Sequence, residues 1–217
     1  MRPGEKTMFD SAQILGFIAA VVVLVIVPGP NTIVILSHSL GGGRAAGLAT
    51  VLGVETGTLV HTAAAAFGLS ALLSTSALAF DCVKYTGAGY LVFLGLRALR
   101  GRAEEGLSEP NARAPMSLTQ AYGRAVLTNV LNPKVAMFFL ALLPQFVRPE
   151  RGHVVMQLLA LGLIVSTIGL CFGSLLAILS GSLSRWLSRG SVGLWQQRVS
   201  GSLLLGLGVR LAFVRRG

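Results

Sequence analysis

The chain has 217 residues, 53% hydrophobic and 12% charged, and its 18 Lys and Arg against 8 Asp and Glu leave a formal net charge of +10. A globular domain carries roughly 25% charged residues, so this chain has about half the polar supply of a water-facing surface, which excludes a soluble enzyme, a disordered chain and a nucleic-acid-binding domain. The basic excess reads as the loop Lys and Arg that membrane proteins retain as topology signals, and no nucleic-acid partner is expected.

Charge is absent from Ile14 to Leu36 and from Val154 to Leu183, and Ala45 to Phe80 holds one charged residue. Each run exceeds the roughly 20 apolar residues that cross a bilayer, so the lipid bilayer is the expected surrounding. Arg2 and Lys6 ahead of the first run imitate a secretory signal. The run continues past Val27 through Pro28-Gly29-Pro30-Asn31 and resumes, which predicts a retained span. Met8 sits directly before it, so residues 1–7 read as an extension without a structural role.

Apolar runs and their punctuation predict six spans, at 10–38, 45–73, 80–97, 120–146, 153–181 and 194–213. The predicted fold is all-α, a single transmembrane domain over 1–217. Its halves, approximately 8–98 and 118–217, are joined by a polar loop at 99–119 with three acids, three arginines and two prolines. An even number of spans puts both termini on one side. Nine Lys and Arg fall in the loops after spans one, three and five, against eight on the other side. Without residues 1–7 the second count is six, and the positive-inside rule then favours both termini outside.

Helix breakers in mid-span are tolerated only where protein or a water-filled cavity surrounds them. In span one, Pro28-Gly29-Pro30-Asn31 removes two amide donors within three residues; in span four, Asn132-Pro133-Lys134 removes one and adds a cation. An ordinary proline kink with Asn capping the freed carbonyls explains one break alone. Two breaks in matching first spans of two odd-numbered halves point instead to inverted repeats with broken helices 1 and 4, as in secondary transporters.

At 1.5 Å per residue, Glu55 lies about 16 Å and Asn31 about 20 Å from Arg44, and Lys134 about 15 Å from Arg124. All three therefore reach the middle of a core about 30 Å thick from one face. Glu55 is the single carboxylate, and Lys134 the single amine, this deep in any predicted span. Two readings stand. The pair is a structural ion pair pinning spans two and four, or it receives a zwitterion, with the substrate carboxylate at Lys134 and its ammonium at Glu55. Glu55 is also a candidate carrier of a coupling proton.

His61 is six residues from Glu55, about 240° around a helix, on the face of Gly53 and Gly57, which predicts packing against a neighbouring helix. Gly169, Gly173, Ala177 and Gly181 form a second close-packing stripe, and His38 and His153 are expected at the membrane interface. Cys82 and Cys171 have no disulfide or metal-ligand spacing and read as small apolar fillers. There is no G-x-S-x-G, H-E-x-x-H or P-loop, so no enzyme, cofactor or resident metal is expected.

Across nearly the whole chain from Met8, the motifs resemble those of the lysine exporter and homoserine/threonine resistance (LysE/RhtB) group of bacterial inner-membrane amino-acid exporters. The matching text is Val27-Pro28-Gly29-Pro30-Asn31-Thr32, Gly43-Arg44-Ala45-Ala46-Gly47, Gly53, Gly57 and Gly87-Ala88-Gly89-Tyr90-Leu91. Span four supplies Asn129, Asn132-Pro133-Lys134 and Phe138 through Pro144-Gln145-Phe146. The resemblance implies a proton-driven secondary exporter of amino acids or small derivatives, oligomeric, in the bacterial inner membrane. Its shared signature covers Pro28, Gly29, Pro30 and Asn31, and Asn132, Pro133 and Lys134; with Asn129 and Glu55 these are the expected substrate-binding residues. The competing classes are a non-transporting membrane scaffold or partner subunit, and a carrier or channel for another solute or a metal ion. One Glu, amides and a Lys form a poor transition-metal set.

Overall fold

A computed structural model describes residues 8–69, 77–100, 116–187 and 190–213, and every regular element in them is helical. The elements are α1 (Ser11–Ile26), α2 (Pro30–Ala64), α3 (Ala77–Leu99), α4 (Leu118–Val130), α5 (Pro133–Met137), α6 (Val154–Leu187) and α7 (Gly190–Phe213). A π turn, Ala65–Leu69, extends α2, while α5 runs on through a π turn, Phe138–Leu142, and a 3-10 turn, Leu143–Phe146. The predicted extension 1–7, and residues 101–115 of the predicted linker, lie outside the described residues.

Both sequence breaks are helix boundaries for the expected reason. Pro28 and Pro30 have no N–H, so the carbonyls four residues earlier lose their donors and α1 stops at Ile26. Pro30 then opens α2, where the missing amide is harmless. At the second break, Pro133 opens α5 and the Asn132 side chain accepts the Lys134 amide at 3.0 Å as N-cap. The α4 axis and the helical run Pro133–Phe146 meet at 47°.

Within α2, Gly43 leaves the helical region at φ 76°, ψ −177°, a conformation open essentially to glycine. The segments on either side run antiparallel. His38 Nδ1 lies 2.8 Å from Thr50 Oγ1, Ser39 borders Gly47, and Ile35 and Val51 both border Gly173. Each pairing joins residues almost equally distant from Gly43, as in a hairpin. His38 is therefore 3% exposed, buried in the turn against Thr50. His153 is exposed.

Helix α2 packs on α4 and α6, and α3 packs on α7. Small residues set these approaches: a Cβ on Gly95 would stand 2.7 Å from the Gly201 carbonyl, and one on Gly201 2.8 Å from the Gly95 carbonyl. A tight apolar cluster that includes Phe17, Phe138, Phe139, Leu143, Leu158 and Leu161 fills the bundle near the starts of α1 and α6. Beside it, the Gln157 side chain accepts the Arg148 amide and donates to the Arg148 and Gly152 carbonyls, closing that turn.

The exterior is apolar as well. Leu52, Leu59 and Val60 on α2 and Leu163, Leu175 and Leu179 on α6 are about half exposed, the pattern of helices that are hydrophobic all round. Cys82 and Cys171 are exposed on this outer surface and do not fill the core. Among the described residues, Val154–Ser180 is long and apolar enough to span alone, with mean hydropathy 2.3; α1 with α2, and α4 with α5, qualify as bent pairs. Helices α3 and α7 do not qualify by themselves. An all-helical bundle with broken helices is thus observed, whereas the count of six crossings remains an inference from sequence.

Candidate functional site

The two breaks meet in the middle of the bundle. Asn31 donates to the Asn129 side-chain oxygen at 2.9 Å, and Asn132 donates to the Asn31 side-chain oxygen at 3.2 Å. Asn129, wholly buried, directs its own amide to the Val54 carbonyl and to Thr58 Oγ1 at 2.9 Å. A chain of three asparagines therefore ties the first turn of α2 to both sides of the α4–α5 break and to the far arm of the α2 hairpin. Gly57 makes this possible, since a Cβ there would lie 2.8 Å from that of Asn129.

Proline at 133 deprives the Asn129 carbonyl of its ordinary helical donor. The Asn132 amide at 3.0 Å and His61 Nε2 at 3.1 Å take its place. His61 also stacks on Phe139, with ring centroids 5.7 Å apart. The packing role predicted for the Gly53, Gly57 and His61 face is what the structure shows: Gly53 meets α4 at Tyr122 and Ala125, and Gly57 meets it at Asn129. At the other break, the Lys134 ammonium donates to the Val27 carbonyl at 2.6 Å. The cation on one break thus serves an acceptor released by the other.

A cavity of about 70 Å³ opens between the breaks, large enough to admit water. Gly29, Asn31, Asn132 and Lys134 line it from the breaks, Glu55 and Thr58 from α2, and Val165, Gly169, Phe172, Gly173 and Leu176 from α6. The three residues placed at one depth by helical rise, Asn31, Glu55 and Lys134, thus border a single space. Glu55 is 8% exposed, and its Oε2 accepts from the Ser166 hydroxyl at 2.8 Å. Lys134, whose ammonium donates to the Val27 carbonyl, borders the same cavity.

Of the expected site residues, Gly29, Asn31, Glu55, Asn132 and Lys134 line the cavity, whereas Pro28, Pro30, Asn129 and Pro133 do not. The three prolines shape the breaks, and Asn129 holds Asn31 from behind. Ser166 and Gly169 were not expected at the site. Gly169 belongs to the predicted small-residue stripe, which does pack closely, with Gly173 against Val51 and Ile35 and Ala177 against Gly47. The stripe also carries the cavity wall, and an uncharged serine at helical spacing from it was the available signal. Among the described residues no group of three His, Cys, Asp or Glu side chains gathers as a metal site.

The model of the LysE type translocator family matches residues 22–215. A protein of Vibrio cholerae named as an uncharacterized membrane protein is 33% identical over 198 residues, spanning 91% of this chain and 95% of its own. A similarly named protein of Pseudomonas aeruginosa is 31% identical, over 90% and 93% of the two chains. The homoserine/homoserine lactone efflux protein of Salmonella typhimurium is 29% identical over 188 residues, 87% of this chain and 90% of that one. No solved structure matches. The chain belongs to the LysE type translocator family and is a multi-pass transport protein of the bacterial inner membrane.

Proposed function

We propose that this protein exports a small amino acid or a close derivative, such as a lactone, driven by the proton gradient. It works as a carrier and not as an enzyme, by alternating access between two inverted three-span halves, 8–98 and 118–217. The observation that carries the reading is the cavity between two helix breaks, bordered by one carboxylate, one ammonium and a set of side-chain amides. Such a donor and acceptor set matches a zwitterion: a substrate carboxylate at Lys134 and the first turn of α2, whose leading amides lack helical acceptors, and an ammonium at Glu55. Interrupted helices in matching positions are the usual pointer to a transporter's substrate site. The efflux activity in the Salmonella relative's name favours the outward direction and the size of the solute.

Lys134 supplies the link between binding and movement. Its ammonium donates to the Val27 carbonyl at the end of α1. A substrate carboxylate competes for that ammonium, and the break of span one loses a restraint as the site fills. Glu55 serves as the ammonium's counter-charge and, in the empty carrier, as the acceptor of the coupling proton. The contacts agree with two related halves, since α2 meets α6, α3 meets α7, and the break of span one meets that of span four.

Efflux of a mass-resolved amino-acid panel from preloaded vesicles, with and without a proton gradient, tests the proposal. Wild type is expected to lose particular members faster with the gradient, and Lys134→Ala to lose none while inserting normally. No loss from wild type, or wild-type loss from a stably inserted Lys134→Ala protein, contradicts it.

A further inference from the structure

The face of α6 that lines the cavity holds Ser166 and, one turn along, Gly169, and both meet the Glu55 carboxylate. Ser166 donates to Oε2 at 2.8 Å. Gly169 lies so close that a Cβ there would stand 2.5 Å from Oε1, 3.1 Å from Cδ and 3.2 Å from Oε2. One residue therefore fixes one oxygen by a hydrogen bond, and the other leaves space for the second oxygen where any side chain would displace it. Phe172, on the same face, places an aromatic ring on the cavity wall. Aromatic faces attract cations and contribute nothing comparable to a neutral hydroxyl.

We infer that Ser166 and Gly169 are positioning residues that hold Glu55 as an ammonium selector, so that the carrier distinguishes an amino acid or aminolactone from the same molecule bearing a hydroxyl in place of its amine. The inference rests on the proposed export function and names the group by which that site selects. A buried carboxylate set for an ammonium disfavours a hydroxyl in its place, because the hydroxyl donates one neutral hydrogen bond and leaves the buried negative charge uncompensated. Substituting either residue leaves the Lys134 side of the cavity intact, so recognition of the carboxylate or lactone carbonyl persists while discrimination at the amine falls.

The test uses full-length protein in liposomes and matched pairs: L-homoserine lactone with α-hydroxy-γ-butyrolactone, and each amino acid carried by wild type with its 2-hydroxy acid. Wild type is expected to prefer the amine of each pair. Ser166→Ala and Gly169→Ala should raise KM for the amine roughly tenfold, the order of one hydrogen bond to a charged group, with KM for the hydroxy compound changed less than about twofold and any change in kcat, through the proton on Glu55, shared by both members of a pair. Ser166→Thr, which keeps the hydroxyl, should restore the wild-type KM. A purely structural role predicts instead that KM changes for both members alike, or that Thr fails to rescue. Unchanged preference in both alanine variants overturns the inference and leaves the export reading standing. If wild type carries no member of any pair, both fail together.

Discussion

Asn129 gives the sharpest test of the junction between the breaks. It makes three side-chain hydrogen bonds, accepting from Asn31 and donating to Val54 O and Thr58 Oγ1, from a fully buried position. At a net of about 0.5–1.5 kcal/mol each, removing all three in Asn129→Ala costs about 1.5–4.5 kcal/mol. The Asn31 amide is the group left exposed to that loss, because the Val54 carbonyl keeps its helical donor and Thr58 keeps its bond to Val54. Asn129→Asp has the same shape but replaces both donors with acceptors, aiming a carboxylate at the Val54 carbonyl. Burying that unpaired charge makes Asp the worse of the two. Thermal unfolding of the purified protein in detergent reads the order directly: wild type, then Ala, then Asp. Asp more stable than Ala, or Ala equal to wild type, would refute the hydrogen-bond assignment at the junction.

Gly43→Ala should destabilise by about 1–3 kcal/mol through backbone strain alone, because a Cβ there meets nothing within 4 Å; Gly43→Asn, checked alongside by thermal unfolding, should fare no better at ψ −177°. Gly95→Val should cost more than the usual overpacking penalty of about 1–3 kcal/mol, since the atoms in its way are backbone of α7; loss of the folded, monodisperse species on size exclusion is the expected readout. Gln157→Ala should cost about 1.5–4.5 kcal/mol for three part-buried hydrogen bonds, and Gln157→Glu should not rescue it because both Nε2 bonds run to carbonyls.

Much of this site is readable from sequence because its physical causes are local. Proline removes donors wherever it stands, so the breaks at Pro28, Pro30 and Pro133 are visible without coordinates. Helical rise then places Asn31, Glu55 and Lys134 at one depth, and helical rotation places His61 away from Glu55, on a packing face. What sequence cannot supply is which faces meet. A stripe of Gly169, Gly173 and Ala177 announces close approach without naming the neighbour, so Ser166 and Gly169 become part of the Glu55 environment only once α6 is seen against α2. His38 illustrates the same gap: its place near a span end says nothing of the turn at Gly43 that folds Thr50 over it. Gln157 sits silent in a charge-free run, its three partners all backbone groups of the preceding turn. The helices α3 and α7 are too weakly apolar to mark a crossing by themselves.

Equilibrium binding of whichever radiolabelled amino acid the vesicle panel shows to be carried, to purified wild type, Glu55→Gln and Lys134→Met, tests most directly whether the substrate sits between the two breaks. The expected result is saturable binding to wild type, lost or weakened at least tenfold in each variant while all three proteins unfold at similar temperatures. Wild-type affinity in both variants would contradict the placement of the substrate between Glu55 and Lys134.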